Sequence, residues 1–107
     1  MSIESIGKTF FEYLYNGILI VDSQYVVKYI NPAYTKITGI EGESIIGKPL
    51  KEVRPGARLV DVVDSGRPIV GALRREKGID YAVNMSPIIE NGKVVGGISV
   101  VSNIEDV

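Results

Sequence analysis

The sequence contains no cysteine and no histidine among its 107 residues. Without cysteine there is no disulfide, no thiolate nucleophile and no cysteinyl bond to a chromophore. Without histidine the usual haem ligand, the commonest metal ligand and the commonest general base are missing. Neither sign of charge dominates: 12 Lys and Arg stand against 13 Asp and Glu, a formal net charge of −1. That balance leaves no basic field to hold a phosphate backbone, so no direct nucleic-acid partner is expected. The longest apolar run, Ile18-Leu19-Ile20-Val21, is far short of a membrane span, and the first residues lack the blocks of a signal peptide. The expected location is cytoplasmic, with no membrane partner. Internal repeats and low-complexity linkers are absent too.

What is present is ordinary for a globular chain: 45% hydrophobic and 23% charged residues. This length supports one domain with a real core and is too short for two. The most informative local run is Tyr29-Ile30-Asn31-Pro32-Ala33-Tyr34. Asn31 can cap the orphan amides of a helix whose first residue is Pro32, because proline has no N–H to leave unsatisfied and its fixed φ suits a first turn. A strand therefore ends here and a helix begins. Gly39 and Gly47 fall where short helices need closing residues, and Pro49 disfavours helix at Lys48.

Periodicity supplies the other elements. Ile3, Ile6, Phe10, Tyr13 and Leu14 recur at steps of three and four, which predicts an amphipathic helix stopped by Asn16-Gly17. Its stripe is too apolar for a free surface, so it is expected to cover the sheet or pair with a second copy about a two-fold axis. Residues 18–21 and 26–30 read as strands around the polar turn Asp22-Ser23-Gln24. Short helical pieces follow at about 32–38, 42–46 and 49–53, too short to stand without tertiary packing. A more regular helix carries Leu59, Val62 and Val63 and closes at Gly66. Three strands complete the chain, 69–75, 79–89 and 94–102, joined at Lys77-Gly78 and at Asn91-Gly92, a strong hairpin signal. In the middle strand Ile79, Tyr81, Val83 and Met85 alternate with Asp80, Ala82, Asn84 and Ser86, one core face and one more polar face. The class is α+β, with helices on one face of an antiparallel sheet of about five strands.

This order, with its residues, resembles a PAS domain over nearly the whole chain. The resemblance rests on Gly17-Ile18-Leu19-Ile20-Val21-Asp22, the Tyr29 to Tyr34 run, Thr38-Gly39, Ile45-Ile46-Gly47-Lys48, Ser86-Pro87-Ile88 and Gly92-Lys93-Val94-Val95-Gly96-Gly97. The stretch from Arg58-Leu59 through Val63 to Ser65-Gly66-Arg67-Pro68 is similar to the PAS modules of bacterial enhancer-binding transcription activators of the AAA+ type, and PAS domains of sensor histidine kinases share such features. The resemblance implies a sheet of order 2-1-5-4-3 whose concave face and short helices enclose a small cavity, and a role in sensing. It places an N-terminal flank at 1–16, the sensor at 17–104 and the start of a linker to an output domain at 105–107. Where relatives often carry Asp-Ile-Thr before a signalling helix, this chain reads Asn103-Ile104-Glu105.

Among the cofactors of that family, cysteinyl-adduct flavin and ordinary haem have no ligating residue here, and flavin held without an adduct is disfavoured by the lack of tryptophan. No cofactor is expected; what remains is a small organic metabolite, or no ligand. An otherwise apolar cavity needs a few convergent polar groups to orient a ligand, and the candidates are Tyr34, Arg58, Arg74, Tyr81, Asn84 and Ser99. An arginine can hold a carboxylate through two parallel hydrogen bonds. Against this, Arg58 could pair with Asp61, Arg74-Arg75 could be a solvated strand end, and the tyrosines could be packing residues. Gly96-Gly97 inside a strand points to close approach of another group, for which the fold is sufficient cause. Asp61 and Asp64 share one helix face with no nucleophile or base in the pattern, so no enzyme is expected. The reading is a regulatory module of a transcription regulator that senses a small metabolite, with an anion among the candidates. Its rivals are a ligand-free dimerisation or interaction module and the sensor of a histidine kinase.

Overall fold

The computed structural model describes residues 14–104 together with Gly7 and Phe10. Five strands form one sheet: β1 (Gly17–Asp22), β2 (Val27–Ile30), β3 (Ile69–Glu76), β4 (Ile79–Glu90) and β5 (Lys93–Asn103). Their order is β2-β1-β5-β4-β3, every pairing antiparallel, as the resemblance implies. Four short helices lie between β2 and β3: α1 (Pro32–Thr38), α2 (Gly42–Ile45), α3 (Leu50–Val53) and α4 (Leu59–Ser65).

The switch from β2 to α1 turns on one side chain. Asn31 sits in extended backbone, and its Oδ1 accepts from Tyr34 N at 3.0 Å and from Ile18 N at 2.8 Å. Its Nδ2 donates to Asn16 O at 2.9 Å. The cap of α1 therefore also ties the start of β1, which is more than a helix boundary requires. The far end of α1 closes as Thr38-Gly39 predicted: Gly39 is left-handed at φ 77° and donates to Thr35 O, while Thr38 Oγ1 donates to Tyr34 O.

At seven residues α1 and α4 are well below the length at which an isolated helix is stable. Packing holds them. Leu59 and Val62 of α4 are almost wholly buried against β4 and β5, and full burial of such a side chain is worth roughly 1.5–3 kcal/mol. The core runs along the inner sheet face through Leu19, Val21, Tyr81, Val83, Met85 and Val101 and is covered by Tyr34, Leu50 and α4. In β4 the expected alternation holds for Tyr81, Val83 and Met85, which are buried, whereas Ile79 is 39% exposed at the strand's edge.

The strands around the polar Asp22-Ser23-Gln24 segment are joined by a turn held by the Asp22 carboxylate, which accepts from Gln24 N and Val26 N. Tyr25 closes it at φ 66°, and its phenol donates to Asp64 of α4. Several boundaries differ from expectation by a residue. Ile46 and Pro49 are caps rather than helical positions, and Val26 makes an isolated bridge to Pro49 instead of joining β2. At the N-terminus Gly7 and Phe10 are helical, Leu14 is not, and Tyr15-Asn16 form a bend. Asn16 is engaged instead in holding Asn31. Of the proposed dimerisation stripe, Ile3, Ile6 and Tyr13 lie outside the described residues; Phe10 is 60% exposed.

Gly96 and Gly97 are explained by contact. A Cβ on Gly96 would lie 2.3 Å from Val21 O, and one on Gly97 within 2.9 Å of Leu59 and Val63. The first lets β1 approach; the second lets α4 settle on β5.

Candidate functional site

Antiparallel register sets inner-face side chains in rows across the sheet. One row is Leu19, Ser99 and Met85; the next is Val101, Val83 and Ala72; the next contains Tyr81 and Arg74; Glu76 follows opposite Ile79. Along the concave face the lining thus passes from apolar to polar toward the β3–β4 hairpin. Between these rows, α1, α3 and the start of α4 lies a cavity of about 290 Å³. Its walls are mainly Leu19, Leu50, Leu59, Val83, Met85 and Val101, and its polar groups are Tyr34, Arg54, Arg58, Arg74, Tyr81 and Ser99.

Five of the six residues proposed from the sequence therefore meet at one cavity: Tyr34, Arg58, Arg74, Tyr81 and Ser99. Asn84 is the exception. It points from the outer face of β4, and its Oδ1 accepts from Gly71 N at 2.7 Å, bracing the irregularity where β3 shifts register. The reason is parity: Tyr81, Val83 and Met85 hold the inner face, so an even-numbered neighbour must face outward. Arg58 lines the cavity while remaining exposed, and among the described residues no ion pair joins it to Asp61. Arg74 is not a solvated strand end: Nη2 donates to Pro55 O at 3.2 Å and meets Glu76 Oε2 at 3.3 Å. Its neighbour Arg75 is the outward one, paired with Asp80 at 3.3 Å.

Two residues central to the site were not anticipated. Arg54 caps the end of α3, where the following proline disfavours further helix. Its side chain turns inward, 6% exposed as a residue, and donates to both oxygens of Glu76 at 2.8 Å each. The guanidinium carbon also lies 5.8 Å from the Tyr34 ring centroid, within the range of cation–π attraction. Glu76 lies one residue past the expected strand 69–75, which the structure extends to include it, and nothing local links it to a residue 22 positions earlier. The one available signal was that Arg74 and Glu76, two apart on a strand, share a face.

Electrostatics follow from these contacts. Burial works to raise the Glu76 carboxyl, but the hydrogen bonds and charge of Arg54, with help from Arg74, bring it below the usual carboxylate range. Burial pulls Arg54 down, and Glu76 more than restores it, so the pair is ionised at neutral pH. Burial raises the phenol of Tyr34, partly opposed by the charge of Arg54. Burial also raises Tyr81, helped by the negative charge of Glu76. Both tyrosines are therefore neutral hydroxyls that can donate or accept. With Glu76 shared between Arg54 and Arg74, this cluster holds two positive groups and one negative, an excess of one positive charge, and the exposed Arg58 lines the same cavity separately. Such an arrangement can hold and orient an anion. Among the described residues no group of three or more acidic side chains could hold a metal ion. No helix among them is long and apolar enough to cross a membrane.

Comparison with known proteins places this geometry in context. A family model described as PAS fold matches residues 11–104. The PAS domain of a protein from Colwellia psychrerythraea superposes with a TM-score of 0.72 at 19% identity, covering 99% of this chain and 100% of that one. The PAS domain of nitrogen regulation protein NR(II) from Vibrio parahaemolyticus gives 0.68 at 19% identity, with coverage of 97% and 100%. In the E. coli DhaR(N)–DhaL complex the match has a TM-score of 0.75 at 17% identity, over 94% of this chain but 36% of the other. At such identities the likeness is one of fold. No curated protein matches the sequence.

Proposed function

This chain belongs to the PAS family, and from that premise we propose that it is a signal-sensing module that binds a small anionic metabolite in the cavity between its sheet and short helices. The observation that carries the reading is the polar group at one end of an apolar cavity: Tyr34, Arg54, Arg74 and Tyr81 converge there with one excess positive charge. A structural filling of the same space would favour hydrocarbon, because two guanidinium groups at a cavity wall carry a desolvation cost that packing alone does not require. Binding at this wall would bias the packing of α1, α3 and β3 and reach an output domain joined in the full polypeptide. A transcription regulator is the proposed context, supported by the similarity of the Arg58 to Pro68 stretch to activator modules; a cytoplasmic location fits that context.

The test is native mass spectrometry of the purified 107-residue chain, followed by thermal denaturation against a panel of small carboxylic acids, phosphates and neutral metabolites. A ligand at 100 times its dissociation constant stabilises by about 2.7 kcal/mol, which for a domain of this size raises Tm by about 10 °C or more. If no small molecule is retained and no compound moves Tm, the domain is an interaction module and the sensing proposal is wrong.

A further inference from the structure

Within that cavity the hydrogen-bonding capacity is unevenly spent. Arg54 gives two guanidinium nitrogens to Glu76. Arg74 gives only Nη2, shared between Glu76 and Pro55 O. Among the described residues, Nε and Nη1 of Arg74 make no hydrogen bond. Arg74 lines the cavity and stands opposite Tyr81 in the register, with Tyr34 across from it on α1. One side chain thus supplies the excess charge with donors to spare, beside two neutral hydroxyls. Beyond it toward β1 the lining is apolar, Leu19, Leu50, Val83, Met85 and Val101, apart from the single hydroxyl of Ser99.

We infer that the ligand is a monocarboxylate with a compact apolar body, its carboxylate seated on Arg74 beside the hydroxyls of Tyr34 and Tyr81 and its body against Leu19, Val83 and Met85. This inference rests on the sensing reading and narrows its ligand class. The charge count of the Arg54, Arg74 and Glu76 cluster sets the valence: one carboxylate brings it to neutrality, and a second charge would meet only the exposed, water-screened Arg58 or the apolar wall with its one Ser99 hydroxyl. Size sets the body. A cavity of about 290 Å³ holds roughly ten non-hydrogen atoms at about 30 Å³ each, the volume share of a liquid water. Six-carbon fatty acids, benzoate and phenylacetate are of that size. Arg58, exposed at the rim, attracts an anion from solution but is screened there and does not hold it.

The experiment is calorimetric titration of the 107-residue chain with hexanoate, benzoate and phenylacetate, their neutral amides, and the dianions succinate and adipate. At least one monocarboxylate binds, its amide binds about 10- to 100-fold more weakly, as expected for loss of a charge-assisted hydrogen-bonded pair, and the dianions bind more weakly still. In Arg74→Gln the preference for acid over amide disappears; in Arg58→Gln most of it survives. Equal binding of acid and amide, or tighter binding of a dianion, overturns the inference and leaves the sensing reading intact. Loss of the preference in Arg58→Gln instead of Arg74→Gln overturns the assigned seat. Absence of binding by every compound in this series overturns the inference, and only the wider panel and native mass spectrometry then decide the sensing reading. The acid and amide comparison uses the unmodified chain, so it does not depend on the variants folding.

Discussion

Arg54 and Glu76 meet across 22 residues of sequence through two parallel N–H···O bonds of 2.8 Å each. The pair joins the end of α3 to the last residue of β3, and its Arg54 lines the cavity. It stays charged because each partner offsets the other's desolvation, which gives its removal an asymmetric cost.

Removing one partner leaves the other exposed to that cost. Glu76→Ala strands a guanidinium whose side chain is 7% exposed, and the expected loss is about 2–3 kcal/mol, under the 3–5 kcal/mol of a fully buried pair because Glu76 itself is partly in water. The double variant Arg54→Met, Glu76→Leu recovers most of it. Urea denaturation of the parent, Arg54→Met, Glu76→Leu and the double variant measures the coupling; a double variant as unstable as the worse single one would show that the pair's geometry, not its charge, matters.

Acid acts on the same pair. The Glu76 carboxyl is lowered in the fold, as is Asp22, whose chief cause is the hydrogen bond from Val26 N. A lowered acid contributes stability that is fully present above its unfolded value, about 4.3 for Glu and 3.9 for Asp, and lost as pH falls through the folded value. Stability from these groups is therefore level above about pH 5.5, a unit past the unfolded Glu value, and falls progressively below it. Unfolding free energy measured between pH 3 and 6 should show this, and Glu76→Gln should flatten part of the acid limb. An unchanged limb in that variant would remove Glu76 from the account.

The cap at Asn31 does two jobs, so its truncation should cost more than an ordinary cap. Asn31→Ala loses the acceptor for Tyr34 N and leaves Ile18 N without it, for an expected loss of about 2–4 kcal/mol against about 1 for a typical cap. Asn31→Asp keeps both acceptors but not the donation to Asn16 O, and should fall between. Chemical denaturation ranks the three; a loss for Asn31→Ala no larger than about 1 kcal/mol would mean that the tie to β1 is replaced by water.

Two adjacent glycines separate main-chain from side-chain crowding. Gly96→Ala drives a methyl onto Val21 O, a backbone atom held in the sheet, whereas Gly97→Ala meets the tips of Leu59 and Val63, which can shift. Overpacking costs typically run to about 1–3 kcal/mol; Gly96→Ala belongs at or above the top of that range and Gly97→Ala near the bottom. Thermal melts of the two variants give the order, and the reverse order would contradict the contact geometry.

What could be read from the sequence was local or periodic. The Asn31-Pro32 switch, the Thr38-Gly39 closure and the Lys77-Gly78 and Asn91-Gly92 turns each lie within a few residues, and the turns carry left-handed φ at both positions as hairpin geometry requires. Alternation in β4 put Tyr81 on the inner face, but applied strictly it also puts Asn84 outside, where the structure has it. The cavity's polar end was half legible. Arg74 and Tyr81 face each other through strand pairing, which turns announce. Arg54 reaches Glu76 through tertiary packing of a four-residue helix whose placement no local rule dictates.

The position of β5 bears on the order of synthesis. It lies between β1 and β4, and Gly17 pairs with Val101 near the other end of the sheet-forming sequence. Until residues 93–103 have left the ribosome, β2–β1 and β4–β3 are two separate ribbons, each with an unpaired margin, and neither is expected to persist alone in water. The wall that contains Ser99 and Val101 is then still missing. The sheet closes in one event, when the fifth strand pairs with both ribbons, so a chain cut short before residue 93 has two unpaired strand margins in place of a walled cavity.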